Sequence, residues 1–132
     1  MARAEVQIER AVEQVWERIG KFGDVSWIPN TTKALLDGDV RTFRLGNSVV
    51  KHRLVSVDGF GHSYTYALAD GESDGGRPAP SNEATIAVQA TSRGVSVVTW
   101  TAQAEERRGS VEGLSAFFQS ILDQLKAALE GA

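Results

Sequence analysis

The stretch from Ser110 to Gly131 constrains the fold most, because it carries the longest helical pattern in the chain. Its apolar residues recur at spacings of three and four, so they form one stripe along a helix. These residues are Val111, Leu114, Phe117, Phe118, Ile121, Leu122, Leu125 and Leu129. Such a helix has to bury its stripe against another element. We therefore predict a long closing helix over residues 110–129 that packs against the rest of the chain.

The part of the chain before this helix reads mostly as strands, because apolar and polar residues alternate with a period of two. The predicted strands are 4–8, 33–37, 40–45, 49–57, 62–69, 84–90 and 95–104. A helix should follow the first strand, since apolar residues recur at helical spacing from Val12 and Gly20 can end it. A short second helix is expected within 22–30, where Pro29 forces a bend.

Seven antiparallel strands and one long helix predict an α+β fold, and the length of 132 residues predicts a single domain over residues 1–132. Because twist coils a sheet of this size, it should curl around the helix and leave space between them. Such a space suits a small molecule. We expect the glycine-rich and proline-rich loop 70–82 and the segment 22–30 to gate the entrance, with a surface loop of no function as the alternative.

Composition excludes several classes of function. The net charge of −3 argues against a nucleic-acid partner, and the absence of cysteine excludes disulfides and thiolate chemistry. No apolar run is long enough for a membrane span, and the first residues lack the apolar core of a signal peptide. We therefore expect a cytoplasmic protein, either a monomer or a homodimer. No metal-ligand spacing or phosphate-binding glycine loop occurs, so no metal and no cofactor are predicted.

Several local strings follow one another in a recognisable order and cover nearly the whole chain. They are VEQVWERIGKFGDVSWIPN at 12–30, LDGDVRTFRLG at 36–46, HRLVSVD at 52–58, SYTYAL at 63–68 and VVTWTAQAE at 97–105, before the closing helix. Together they resemble the START-like or helix-grip superfamily, and within it the bacterial polyketide cyclase/dehydrase and lipid-transport group. The resemblance implies a seven-stranded curved antiparallel sheet wrapped around a long C-terminal helix, with two short helices after the first strand.

The resemblance also implies an internal cavity for a hydrophobic small molecule. The superfamily includes cyclases, aromatases, carriers and receptors, so the shared scaffold does not carry a reaction with it. Two hypotheses follow: a cofactor-free polyketide cyclase, aromatase or dehydratase, or a non-catalytic carrier or sensor of a lipid-like or polyketide-like ligand. Many relatives have Glu-Arg-Leu in the fourth strand, where this chain has His52, Arg53 and Leu54. They often have tyrosine where this chain has Glu83.

Strand parity selects the candidate catalytic residues. Leu54 should face the core, and His52 shares its face because residues two apart point the same way. Tyr64 and Tyr66 form the matching inward set on the next strand. An imidazole there titrates near neutral pH and could act as acid or base with the tyrosines as partners. The alternatives are a surface histidine, ordinary core tyrosines, or a shifted register caused by a bulge near Gly59 or Gly61.

Arg41 alternates with Phe43, so it either points inward or lies at the surface of an irregular edge strand, which is the expected position. A buried guanidinium would need an acceptor, for which Glu83 and an acidic ligand are the candidates. The remaining candidates are apolar residues that should line the cavity or pack the core. The complete set of predicted ligand-binding residues is Trp27, Arg41, Phe43, Leu54, Glu83, Trp100, Leu114, Phe118 and Leu122.

Overall fold

The computed structural model describes residues 2–68, 83–102 and 111–131. The elements are β1 (Ala2–Ile8), α1 (Val12–Ile19), β2 (Leu35–Asp37), β3 (Val40–Leu45), β4 (Ser48–Asp58), β5 (Ser63–Leu68), β6 (Ala84–Ser92), β7 (Val95–Ala102) and α2 (Val111–Glu130). The strands form one antiparallel sheet in the order β1-β7-β6-β5-β4-β3-β2. The predicted α+β helix-grip architecture is therefore confirmed. The predicted gate loop 70–82 lies outside the described residues.

The segment 22–30 forms turns instead of the expected second short helix. Its backbone hydrogen bonds span three residues, from Asp24 N–H to Lys21 C=O at 3.0 Å and from Ile28 N–H to Val25 C=O at 2.9 Å. Pro29 follows directly, and a proline disfavours helical geometry in the residue before it. Asn30 then adopts a left-handed φ of 62° and turns the chain back toward β3.

Helix α2 is attached along β1, which is one edge of the sheet. Its polar side chains satisfy backbone groups that an edge strand leaves unpaired. Ser115 accepts a hydrogen bond from Arg3 N–H at 3.0 Å, and Lys126 donates to the Gln7 carbonyl at 2.7 Å. Gln119 binds both the N–H and the carbonyl of Glu5, at 3.2 and 2.9 Å. The helix thus closes one edge of the sheet as well as covering its face.

The other face of α2 enters the core. Phe118, Ile121, Leu122 and Leu125 are buried, as the predicted stripe requires, whereas Phe117 is 43% exposed. The sheet contributes the alternate residues of β1, β6 and β7 to the same core. In the described part of the chain, no helix is long and apolar enough to cross a membrane.

We predict that Leu122→Ala lowers the free energy of unfolding by about 2–5 kcal/mol, because Leu122 is fully buried between α2 and the sheet. Urea denaturation of both proteins measures the change. Gln124→Ala, at an exposed position of the same helix, is the matched control and should change stability by less than about 0.5 kcal/mol. Equal effects of the two substitutions would contradict the assigned packing face.

Candidate functional site

Arg41 is almost completely buried, with 1% of its surface exposed. It stands on β3 directly opposite His52 on β4, and it shares the inward face of β3 with the buried Phe43. The expected surface position of Arg41 is therefore wrong. Parity explains the difference, because the sheet can bury Phe43 at this position only by turning Arg41 inward as well.

Neutral groups surround the Arg41 guanidinium. Its Nε and Nη2 donate to Nδ1 of His52 at 3.2 and 3.1 Å, and its Nη1 donates to the carbonyl of Phe22 at 2.8 Å. Cζ lies 4.2 Å from the ring centroid of Phe22 and 5.1 Å from that of Tyr66. Within residues 2–68, 83–102 and 111–131, no carboxylate forms an ion pair with Arg41. Glu83, a predicted partner, is partly buried but does not pair with it there.

The contact with Arg41 fixes the tautomer of His52. Since Nδ1 accepts from the guanidinium, the proton of the neutral ring lies on Nε2. Burial, reinforced by the positive charge of Arg41, lowers the pKa of His52 from 6.5 to about 3. The expectation that this imidazole titrates near neutral pH is therefore wrong. At neutral pH His52 presents an N–H donor and is a poor general base.

The two tyrosines lie beside this pair with different contacts. The ring centroid of Tyr66 is 4.4 Å from that of His52, and its hydroxyl accepts a hydrogen bond from Trp100 Nε1 at 3.0 Å. Tyr64 packs against Phe22, with centroids 5.9 Å apart. Burial raises the pKa of both phenols, so both stay protonated at neutral pH. In the case of Tyr64, Arg41 partly opposes the increase through its charge and hydrogen bonding.

A β-bulge in β4 lies close to His52 without changing the face on which His52 lies. Leu54 pairs with Tyr66, but Val57 pairs with Tyr64, because the register shifts between Leu54 and Ser56. The shift falls beyond His52, so the predicted inward orientation of His52 holds. Ala84 opposes Tyr66 on β6, and its small side chain lets the phenol reach across to Trp100 on β7.

An aromatic stack continues the site toward α2. Trp100 stacks on Phe118 with centroids 4.1 Å apart and an interplanar angle of 5°, and Trp27 lies against Trp100 at 5.5 Å. The Nε1–H of Trp27 is buried and has no hydrogen-bond partner in the described part of the protein. The predicted residues Trp27, Trp100 and Phe118 therefore come together. Leu122 is buried and Leu114 partly buried in the same core.

Phe22 was not among the candidates, yet it contributes both a ring face and a carbonyl to Arg41. An aromatic residue shortly after a helix-ending glycine carries no sequence signal for such a contact. Gly20 is the C-cap of α1: its N–H still bonds the Trp16 carbonyl at 2.7 Å, and a Cβ there would collide with the Trp16 ring. This stop directs the chain toward the inner face of the sheet.

A pocket of about 230 Å³ opens between α2 and the turn that joins β3 to β4. The lining residues are Pro29, Asn30, Leu45, Gly46, Phe117, Ser120, Ile121 and Gln124. Its sheet side is rigid, because Gly46 N–H bonds the Asn30 carbonyl at 2.8 Å and Thr32 N–H bonds the Arg44 carbonyl at 3.0 Å. Pro29 and Asn30 of this pocket belong to the segment 22–30, which the sequence predicts to flank an entrance together with loop 70–82.

Comparison with protein families gives a match over residues 1–130 to the family described as polyketide cyclase / dehydrase and lipid transport. The chain belongs to this family. A comparison with curated proteins finds no match. The family match agrees with the resemblance found in the sequence. The description of the family names both reactions and transport.

Several solved structures have a similar fold over almost the whole chain. A Bacillus thuringiensis protein has a TM-score of 0.80 at 23% identity, covering 96% of both chains. A START superfamily protein from Mycobacterium smegmatis has a TM-score of 0.67 at 12% identity, covering 98% of this chain and 94% of the other. The di-domain ARO/CYC StfQ from the steffimycin biosynthetic pathway has a TM-score of 0.70 at 11% identity, covering 98% of this chain and 44% of the other. At these identities the likeness concerns the fold.

We predict that His52 stays neutral when the pH is lowered from about 7.5 to about 4.5, in contrast to an unperturbed histidine. NMR of the imidazole carbon-bound protons in His62→Asn, which leaves one histidine in the chain, measures this directly. A midpoint between pH 6 and 7 would contradict the burial of this ring beside a positive charge.

The same pKa has a consequence for stability. Because His52 binds a proton more weakly in the folded protein than in the unfolded chain, stability should fall as the pH drops below about 6.5. The decrease attributable to this group is at most about 1.4 kcal/mol per pH unit. Urea denaturation across this range should show a weaker pH dependence in His52→Asn than in the wild type. Identical slopes would contradict the prediction.

Proposed function

We propose that this protein binds a mostly apolar, ring-containing small molecule between α2 and the inner face of β3–β5. The observation that carries the proposal is the buried polar row that joins Arg41, His52, Tyr66 and Trp100. Burying a charge without a carboxylate costs free energy, and an apolar core would be at least as stable. Polar groups of this kind, surrounded by aromatic rings, fit a binding site better than a purely structural core.

The attachment of α2 supports an interior site. The helix is bonded to β1 at one edge of the sheet, whereas β3 and β4 lie toward the opposite edge. The pocket between α2 and the β3–β4 turn lies on that opposite side. An apolar molecule entering there would meet the stack of Trp27, Trp100 and Phe118. These rings offer flat apolar faces for a ring-containing ligand.

The protonation states favour binding or transport over acid–base catalysis. His52 holds its proton on Nε2 and has a pKa of about 3, and burial keeps the tyrosines protonated. The site therefore offers hydrogen-bond donors and one positive charge, but no base within these residues at neutral pH. A carrier or sensor needs only an apolar lining and such a polar anchor.

A cofactor-free cyclase or aromatase is the second candidate, and the positive charge of Arg41 favours it. A buried cation with preorganised donors can stabilise an enolate that forms during ring closure. The ARO/CYC designation of StfQ belongs to a protein that shares the fold at 11% identity, so it supports this alternative only by analogy. The reaction would also need a base from the substrate or from another part of the chain.

The proposal is tested with N-phenyl-1-naphthylamine, a neutral apolar dye whose fluorescence increases in apolar surroundings. We predict that the wild type binds it and that Leu54→Trp weakens binding by about tenfold or more, because Leu54 lies on the inner face beside Tyr66. Val55→Trp, at the adjacent outward and 48% exposed position, is the matched control and should bind normally. Circular dichroism checks that both variants fold.

Failure of the wild type to bind the dye would contradict the proposal. Equal binding by Leu54→Trp and Val55→Trp, with both variants folded, would place the dye on the surface and contradict an interior site. Native mass spectrometry of the purified wild type gives an independent readout, since a co-purified small molecule in the wild type but not in Leu54→Trp would support the proposal.

A further inference from the structure

The hydrogen bonds of Arg41 leave one edge of its guanidinium poorly satisfied. Nε and Nη2 form a flat pair of donors whose spacing matches the two oxygens of a carboxylate. In this structure both donate to the same atom, Nδ1 of His52, at 3.2 and 3.1 Å. The accepting nitrogen of a neutral imidazole has a single lone pair, which can accept one good hydrogen bond. Here two N–H groups share that lone pair.

The remaining contacts do not balance the charge. The Phe22 carbonyl accepts from Nη1 at 2.8 Å, and aromatic rings surround Cζ, the nearest being Phe22 at 4.2 Å. Ring faces attract a cation, but each contributes far less than a buried carboxylate at hydrogen-bond distance. In the described ranges the nearest partners of this 1% exposed side chain are thus all neutral. No described residue places a negative charge beside this guanidinium.

His52 can give up this contact more readily than the Phe22 carbonyl can. The Phe22 carbonyl that accepts from Arg41 belongs to the main chain, whereas the imidazole is a side chain that is only partly buried. Rotation of the ring would leave the β3–β4 backbone pairing unchanged and expose the Nε/Nη2 edge. The aromatic face of Tyr66, 4.4 Å from the His52 ring, then continues from that edge toward Trp100.

From this geometry we infer that the ligand is an aromatic or polycyclic carboxylic acid, whose carboxylate binds the Nε/Nη2 edge of Arg41 in place of His52 Nδ1. The inference rests on the proposed binding function and adds the chemical class of the ligand. The ring system would lie along Tyr66 and Trp100, and the displaced imidazole would offer its nitrogens to the outer face of the carboxylate. Arg41 is then the specificity-determining residue. His52 Nδ1 holds the position that the carboxylate of the ligand would take.

The test compares two probes of nearly the same shape, 2-naphthoate and 2-naphthamide, by isothermal titration calorimetry at about pH 7.5. The wild type should bind the carboxylate at least about tenfold more tightly than the amide, because charge-assisted bidentate hydrogen bonds are stronger than neutral ones. Arg41→Met should bind both probes equally. Arg44→Met, at an exposed position three residues further along β3, should keep the wild-type preference.

A second variant retains the arginine but supplies an internal carboxylate. His52→Glu places that carboxylate opposite Arg41, so it should remove the preference for naphthoate while binding of naphthamide persists. A preference retained in folded His52→Glu or Arg41→Met would overturn the inference. So would equal binding of the two probes by the wild type.

The outcomes also separate this inference from the proposed function. If the wild type binds N-phenyl-1-naphthylamine but shows no preference for naphthoate, the interior site stands and the acidic ligand class is wrong. If the wild type binds none of the three compounds, both proposals fall. Binding of the dye, together with preferential binding of naphthoate that depends on Arg41 and on the absence of a carboxylate at position 52, supports both.

Discussion

The interaction on which the site depends is the burial of the Arg41 charge among neutral partners. Cross-strand pairing puts Arg41 opposite His52, and the turn after α1 brings Phe22 over the guanidinium. The charge in turn contributes to the low pKa of His52 and opposes the effect of burial on Tyr64. Burial is thus the main cause of these shifts in pKa, and the Arg41 charge adds to it at His52 and opposes it at both tyrosines.

The fold attaches its long helix along one side of the sheet, away from Arg41 and His52. The side chains of Ser115, Gln119 and Lys126 bind the backbone of β1, so α2 closes that edge of the sheet. The inner face near β3 and β4 is covered instead by the turns of residues 22–30 and by aromatic rings. Turns and side chains can rearrange at lower cost than a packed helix. The same attachment that stabilises the sheet thus leaves the polar end of the interior open to change.

Much of this arrangement follows from the sequence because its signals are local. Period-two alternation predicts the strands, and parity predicts that His52 and Leu54 share the inner face. The burial of Arg41 was not predicted, since arginine is ordinarily exposed and the sequence did not show that β2 forms the edge and covers β3. The role of Phe22, the neutral state of His52 and the reach of Tyr66 over Ala84 depend on contacts between distant segments. Such contacts are not encoded in spacing.

In the proposed site, the residue opposite Arg41 would determine which ligands can bind. A carboxylate on β4 at position 52 would neutralise the guanidinium within the protein and leave no charge for a ligand. An apolar residue would leave the Nε/Nη2 edge without an acceptor and raise the cost of burial. A neutral histidine lies between these cases, because its Nδ1 reduces the cost of burying the guanidinium without cancelling the charge. The pair therefore retains a positive potential in an apolar interior, where an anion would interact with it far more strongly than in water.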